Sequence, residues 1–424
     1  MGKFNVTIEI HGKQIPVGKI EGNGVMDSSF CYDESYIARG DLKPLSISLP
    51  LQDEPFSPEQ TRIFFEGLLP EGFTRRSVAQ RLHVDEDDYL GLLNSLGKEC
   101  IGAIRITDTT EIDDEYYEET GVDQIKELAA EGAAKSSELV INTHLSLAGA
   151  SGKVGLYHDE DEDKWYLPHG LAPSTHIVKQ SHVRLEGIVT NEQLSMLTAR
   201  KCGITASESF IINVGSGNDS EILFASKRYD RRIGPDVQMV SGLKRPYRLH
   251  QEDFAQAMGI PAADKYEPKG KAYAKEMFDI LRKYSADPLA DQLQLWDRMI
   301  FSYILGNNDG HIKNYSLLYN EDMNALRLAP AYDIVCTTIY GESTREMSFN
   351  IGGAGRIDDV TKESFAGLAF EIGFGEKLAL GRIEKIRDAF EAALRDSAKE
   401  LQNSGFKKAV RMAEKILESR KGVI

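Results

Sequence analysis

Cysteine is scarce, with four residues in a chain of 424. Cys31, Cys100, Cys202 and Cys336 stand far apart and form no CxxC pair. A structural zinc site needs clustered ligands and a secreted disulfide scaffold needs many more cysteines, so the pattern argues against both. Long apolar runs are missing too, since none approaches the about 18 residues that cross a bilayer. At the N-terminus Phe4, Val6, Ile8 and Ile10 alternate with other residues, which reads as a strand and not as a signal-peptide core. A soluble, cytoplasmic protein with no membrane partner is expected.

Basic charge is also short, with 50 Lys+Arg against 66 Asp+Glu and a formal charge of −16. Phosphate binding rests on Lys and Arg, so this balance speaks against a protein that coats nucleic acid by itself, while leaving room for a local basic site. No internal repeat and no low-complexity tract is present. What remains is a 41% hydrophobic composition that suits a packed core and argues against global disorder. At about 150 residues per domain, the length predicts two or three domains.

Residues 1–110 read as β-rich with some helix. Alternating runs flank the turn His11-Gly12-Lys13, and Cys100-Ile101-Gly102-Ala103-Ile104-Arg105-Ile106 is a further strand candidate. Ser57-Pro58-Glu59-Gln60 has the form of a helix start, with Ser57 as N-cap and Pro58 at the first helical position. Between Glu111 and Glu119 six of nine residues are acidic. Such a block repels itself, so residues 111–135 read as an exposed connection. Residues 136–244 show strands at Thr175–Lys179 and Glu221–Ala225 around a helix from Thr190 to Lys201, closed by Gly203. Residues 245–424 turn helical. From Pro288, the residues Leu289, Leu293, Trp296, Ile300 and Ile304 share one apolar face, and two helices near 377–402 and 405–420 end the chain.

The most informative segment is Gly306-Asn307-Asn308-Asp309-Gly310-His311-Ile312-Lys313-Asn314. Asn-rich and Asp-Gly stretches favour turns, so a polar turn is one reading. The other is a phosphoryl-transfer loop, in which an Asp accepts the proton of an attacking hydroxyl and an Asn five residues later binds metal; Asp309 and Asn314 have that spacing. Asp333 follows in Pro330-Ala331-Tyr332-Asp333-Ile334, as a turn cap or as a second oxygen ligand to Mg²⁺. Upstream, the small-residue run from Ser146 to Lys153 is a hairpin turn or a loop whose amides approach phosphate. Lys179 ends a strand and Glu192 opens the following helix, an arrangement that holds nucleotide phosphates when the two pair. Either charge also suits a solvated surface or a helix first turn. The order of these features along the chain is that of a kinase.

At these residues the sequence resembles the HipA family, the serine/threonine-protein kinase toxins of HipBA-type toxin–antitoxin pairs. The likeness rests on Leu68-Leu69-Pro70-Glu71-Gly72, Ser146-Leu147-Ala148-Gly149-Ala150, Thr175-His176-Ile177-Val178-Lys179, Lys227-Arg228-Tyr229-Asp230-Arg231, Gln251-Glu252-Asp253-Phe254, Asn308 to Asn314 and Pro330 to Asp333. It implies an α+β, two-lobed protein-kinase-like fold: a β-rich N-terminal subdomain, an α/β small lobe and a mostly helical C-terminal lobe. ATP would lie between the lobes. By the resemblance Ala148, Gly149, Ala150, Ser151, Gly152 and Lys153 form the phosphate loop, Lys179 binds the ATP phosphates with Glu192 as its ion-pair partner, and Lys227, Arg228 and Tyr229 lie at the adenine. Asp309 is the catalytic base, His311, Lys313 and Asn314 complete the catalytic loop, and Tyr332 and Asp333 belong to the ATP site. Asn314 and Asp333 hold Mg²⁺. Ser146 aligns with the family's autophosphorylated serine, whose modification switches the kinase off. Two positions depart from the family pattern: Ser151-Gly152 replaces a frequent Gln-Glu pair, and Lys227 stands where better-known members carry Glu.

The resemblance further implies protein substrates, aminoacyl-tRNA synthetases among them, and a HipB-like helix-turn-helix antitoxin that carries the contact with DNA. Two other functions stay open on the sequence. One is a catalytically silent co-repressor that works by binding the antitoxin. The other is a metal-dependent hydrolase built on Asp309, His311 and Asp333, although such a site usually gathers more ligands.

Overall fold

The computed structural model describes residues 2–108, 115–131, 153–181, 185–341 and 343–423. Ser146 and the segment 148–152, read above as the phosphorylated serine and phosphate loop, lie outside the described residues. The chain divides into two compact units that interleave along the sequence. The first takes Met1–Gln180, Ala225–Ala262 and Leu318–Leu326, and the second Ser181–Phe224, Ala263–Leu317 and Arg327–Ile424. Composition suggests consecutive segments; packing instead puts the helix that follows Lys179 in the second unit and the segment after Ala225 in the first.

In the first unit, β1 (Gly2–Ile10) turns through His11 and Gly12 into β2 (Lys13–Gly22). Both turn residues have positive φ, 49° and 72°, as a two-residue turn that follows the strand twist requires. With β3 (Ser29–Tyr32) and β4 (Ile104–Thr107) they form a sheet in the order β3-β2-β1-β4. Phe4, Val6, Ile8 and Ile10 are all buried, as their alternation predicts. Helix α1 (Pro58–Glu66) starts where expected. Ser57 Oγ accepts the Gln60 N–H and Gln60 Oε1 accepts the Ser57 N–H, each at 3.2 Å.

Two expectations fail in this unit. The strand read from Cys100 begins only at Ile104, because Gly102 takes φ 75° and turns its N–H to Asp230 Oδ2 at 2.8 Å. The end of the acidic block is not a loose connection either: Tyr116–Glu119 is β5, largely exposed but part of a sheet. Two of its carboxylates are paired, Glu115 with Arg245 at 2.7 Å and Glu118 with His169 at 2.9 Å, and Tyr117 is buried. These partners offset part of the mutual repulsion and let the segment join a sheet. β5 joins β6 (Lys153–Asp159), β7 (Lys164–His169), β8 (His176–Gln180) and β9 (Ile222–Lys227) in a sheet where these strands run in the order β5-β7-β6-β8-β9.

The first unit also holds a knot of buried charge. Glu99 meets Arg228 at 3.1 Å, Arg231 at 2.8 Å and Arg248, while Asp230 meets Arg228 at 2.7 Å and Arg231 at 2.9 Å. Burial opposes the charge on Glu99, but Arg231, Arg248 and Arg228 outweigh it and hold its carboxyl down at about 2. Glu9, buried in β1, pairs with Arg245 at 2.9 Å and Arg105 at 3.5 Å. Isolated buried ions are prohibitive, so these residues are ordered as one network.

The second unit is mainly helical. α2 (Ile188–Lys201) is buried along most of its length. α3 (Tyr273–Tyr284) precedes α4 (Pro288–Leu305), which Asp287 caps by accepting the Ala290 N–H at 3.3 Å. Trp296, Ile300 and Ile304 of α4 are buried as expected, but Leu289 is 64% exposed and Leu295 takes part in the core. The first turn of α4 projects past the packed layer, so the apolar stripe starts one turn later than its pattern suggests. The last helices, α5 (Glu376–Asn403) and α6 (Lys408–Ser419), match the expected pair, and Trp296 Nε1 donates to the Ala379 carbonyl of α5 at 3.2 Å. Among the described residues no helix is long and apolar enough to cross a membrane.

Candidate active site

The chain leaves α4 at Gly306, where φ is 88°. A Cβ there would lie 2.3 Å from Thr338 Oγ1 and 2.9 Å from Arg420 Cδ, so both conformation and space call for glycine. The Gly306 carbonyl accepts the N–H groups of Thr337 and Thr338, at 2.9 and 3.1 Å. The segment after Asp333 is thereby tied to the start of the Asp309 loop. Arg420, buried just past α6, donates to the Tyr303 carbonyl at 2.8 Å and the Ile304 carbonyl at 3.2 Å, satisfying the last acceptors of α4.

The loop is then pinned by its own side chains. Asn307 Oδ1 accepts the Asp309 N–H at 3.1 Å, and the Asp309 carbonyl accepts from the His311 N–H at 2.9 Å and from Asn314 Nδ2 at 2.8 Å. Asn308 donates to Thr337 Oγ1 at 2.8 Å and to the Thr344 carbonyl at 2.7 Å, and its own carbonyl accepts the Ser348 hydroxyl at 2.6 Å. Asn307, Asn308, His311 and Lys313 are buried, whereas Asp309 is exposed. A polar turn needs no such bracing; a rigid loop that presents one carboxylate does.

Tyr332 brings the next segment in. Its hydroxyl donates to the Lys313 carbonyl at 2.8 Å and lies 2.6 Å from Ser316 Oγ. Asp333, the following residue, is half-buried and left-handed at φ 56°. Such a backbone is uncommon outside glycine and is retained mainly where the surroundings or function demand it. On the other side, Asn191 of α2 donates to the Cys336 carbonyl at 2.8 Å and accepts the Cys336 N–H at 3.1 Å, which fixes the helix that carries buried Glu192 against the same segment. The second unit thus brings together the Asp309–Asn314 loop and the Tyr332–Asp333 segment, and holds the helix of Glu192 against the residues that follow.

The donor chemistry suits Mg²⁺. The amide nitrogen of Asn314 is turned to a backbone carbonyl, which leaves Oδ1 as its outward acceptor, and Asp333 adds a carboxylate; hard oxygens are what that ion takes. Among the described residues no three His, Cys, Asp or Glu side chains gather as a metal-binding group, so Asp309, His311 and Asp333 do not form the site a hydrolase would need.

In the first unit Lys153 of β6 and Lys179 of β8 are direct cross-strand partners. The sequence reading treats them as two separate phosphate contacts 26 residues apart; the register puts both cations on one face. Lys227 is exposed and pairs with Glu160 at 2.6 Å. Arg228 is different: its guanidinium is committed to Glu99, Asp230 and Ser174 Oγ, while its N–H donates to the Thr175 carbonyl at 2.9 Å. Tyr229 donates to Gln251 Oε1.

One residue at the site has no signal in the sequence. Tyr266 donates its hydroxyl to Asp309 Oδ1 at 2.7 Å from 43 positions away.

Two family models match this chain, the "HipA N-terminal domain" over residues 8–107 and the "HipA-like C-terminal domain" over residues 145–394. A Sinorhizobium fredii protein named "Putative kinase Y4mE" is 32% identical over 386 residues, covering 89% of this chain and 88% of its own. The Shewanella oneidensis "Serine/threonine-protein kinase toxin HipA" is 24% identical over 402 residues, 90% of this chain and 87% of its own. A solved structure of the Shewanella oneidensis HipA, HipB and operator DNA complex matches with a TM-score of 0.77 at 19% identity, over 98% of this chain and 99% of that one. That match gives the fold, the mixed helix-and-sheet, kinase-like fold of HipA. Matched in both domains and along nearly nine-tenths of its length, the chain belongs to the HipA family of kinase toxins.

Proposed function

We propose that this chain is an ATP- and Mg²⁺-dependent protein serine/threonine kinase that acts in the cytoplasm as the toxin of a toxin–antitoxin pair. The observation that carries the reading is the exposed Asp309 carboxylate on a loop whose backbone is hydrogen-bonded on every side. Bound ATP with Mg²⁺ supplies the transferable phosphoryl group. Asp309 takes the proton of the attacking serine or threonine hydroxyl, and Asn314 and Asp333 offer the oxygens that hold the ion. Lys153 and Lys179 face each other across two strands, an arrangement of like charges that gains when an anion joins it. Lys227 ends β9 and Arg228 and Tyr229 follow it at the proposed adenine position, with the Arg228 side chain engaged in the core.

The target is a protein, with an aminoacyl-tRNA synthetase as the proposed class, and phosphorylation of Ser146 is the off-switch. A phosphate carries a charge of about −2 and repels the ATP phosphates from the adjoining loop. A HipB-like helix-turn-helix antitoxin is the proposed partner, supported by the solved complex of the Shewanella protein with HipB and operator DNA. DNA is met only through that partner, in keeping with the charge of −16.

Incubation with ATP and Mg²⁺ followed by intact-mass measurement tests the reading. One added phosphate, mapped to Ser146, is expected in the wild type. Asp309→Asn is expected to slow its appearance by about 10²- to 10⁴-fold while leaving the protein folded. Equal labelling of the variant would sink the assignment of Asp309, and no labelling of the wild type would sink the kinase itself.

A further inference from the structure

Tyr266 lies in the irregular stretch before α3 and packs on the Asp309 loop in two ways. Its hydroxyl donates to Asp309 Oδ1 at 2.7 Å, and its ring stands edge-on to the His311 ring, centroids 5.4 Å apart at 85°. The tyrosine is 49% exposed, so burial alone does not explain its place. What fixes it is the residue that follows. The Glu267 N–H donates to the Ser348 carbonyl at 2.8 Å, and the Glu267 carboxylate accepts from the Tyr273 N–H at 2.7 Å and from Asn350. Tyr273, the first residue of α3, also donates its hydroxyl to the Asp264 carbonyl at 2.8 Å.

Ser348 is the link between the two loops. Its carbonyl holds Glu267, next to Tyr266, and its hydroxyl holds the carbonyl of Asn308, next to Asp309. The separation between Tyr266 and Asp309 is therefore set by hydrogen bonds that involve neither of their side chains. A hydroxyl that merely covered the carboxylate until substrate arrived would not need this support. A hydroxyl meant to stay would.

We infer that Tyr266 is a positioning residue of the catalytic base, an inference that rests on the kinase reading above. A carboxylate has two oxygens and about four acceptor positions. The tyrosine engages Oδ1, which fixes the rotation of the carboxylate and aims Oδ2 at the phosphoacceptor hydroxyl. A base held in one orientation spends no time in unproductive ones, and misplacement of a reacting group by a fraction of its length is costly to rate.

Tyr266→Phe keeps the ring on His311 and removes only the hydroxyl. Its effect is read from the rate of ATP-dependent phosphate incorporation by intact mass, at saturating ATP and across an ATP titration. The expected result is a rate constant lowered by about 10- to 100-fold, the span of one hydrogen bond to a charged group, with the half-saturating ATP concentration unchanged. The same substitution in the Asp309→Asn background is expected to have no further effect on the residual rate, because its influence runs through the carboxylate. A merely structural role would lower the rate by the same factor in both backgrounds and would overturn the inference. Wild-type or faster incorporation by Tyr266→Phe would also overturn it, a faster rate marking the hydroxyl as a competitor of the acceptor. If wild type and Asp309→Asn label alike, the assignment of Asp309 falls; if neither labels, the kinase reading falls; either result takes this inference with it.

Discussion

Replacing Glu252 by Gln should stabilise the first unit in mildly alkaline buffer and change little in acid. Glu252 is fully buried. Its Oε2 accepts the Ser46 hydroxyl at 2.5 Å, and its Oε1 accepts the Tyr319 hydroxyl at 2.6 Å and the Ile47 N–H at 3.1 Å. Burial disfavours the charged form and outweighs these three donors, which lifts the carboxyl from 4.5 to about 7. The folded state therefore keeps a proton that the unfolded chain releases above pH 4.5. Stability is whole below that value and falls as pH rises towards 7 and beyond. At 1.36 kcal/mol per unit, the lift from 4.5 to about 7 amounts to about 3 kcal/mol of folding free energy lost by pH 8. Gln has the same shape, keeps an acceptor for Tyr319 and Ile47, and offers its amide to Ser46, whose hydroxyl also accepts. Urea unfolding at pH 5 and pH 8, followed by circular dichroism, measures the difference. The variant should match the wild type to within about 1 kcal/mol at pH 5 and exceed it by up to about 3 kcal/mol at pH 8. A variant less stable than the wild type at pH 8 would refute the reasoning, since it would mean that the three donors stabilise an ionised carboxylate more than burial opposes it.

Two further substitutions test the buried charges. Glu99→Gln leaves Arg228, Arg231 and Arg248 facing an uncharged amide and is expected to destabilise by about 3–5 kcal/mol at pH 7, seen in thermal unfolding; a loss below about 1 kcal/mol would show that the arginines find other partners. Because the folded Glu99 carboxyl lies at about 2, its contribution is present above pH 4.5 and is lost as pH falls through about 2, so the gap between wild type and variant should close in acid. Arg420→Ala removes two donors from the end of α4 and should slow phosphate incorporation by about 10²-fold through displacement of the Asp309 loop; an unchanged rate in a variant of lowered melting temperature would confine Arg420 to stability.

What the sequence shows plainly are features whose partners lie close along the chain. The Ser57 cap closes on Gln60, the β1–β2 turn spans two residues, and Asp309 and Asn314 sit five apart, so spacing alone proposes each of them. In the proposed kinase reading base and metal ligand share one loop, and that closeness leaves a trace in sequence. The buried ion network leaves none. Arg228 and Lys227 are neighbours of like charge, yet one is sealed against Glu99 from 129 positions away and the other is exposed on Glu160. Nothing in the dipeptide separates them, because burial is decided by which strand face each residue meets and not by its type. Leu289 fails for the same reason in reverse, since a periodic stripe records which residues share a face but not where the covering layer stops. Tyr266 is the sharpest case. A residue that transfers a proton is constrained in identity and in local spacing, whereas one that only steadies the base needs a hydroxyl delivered from anywhere in the fold. Supporting residues of a proposed catalytic loop are therefore found by tracing the hydrogen bonds of the proposed base outward in space, and here that path runs from Asp309 to Tyr266 and, through Ser348, back to the backbone of the loop itself.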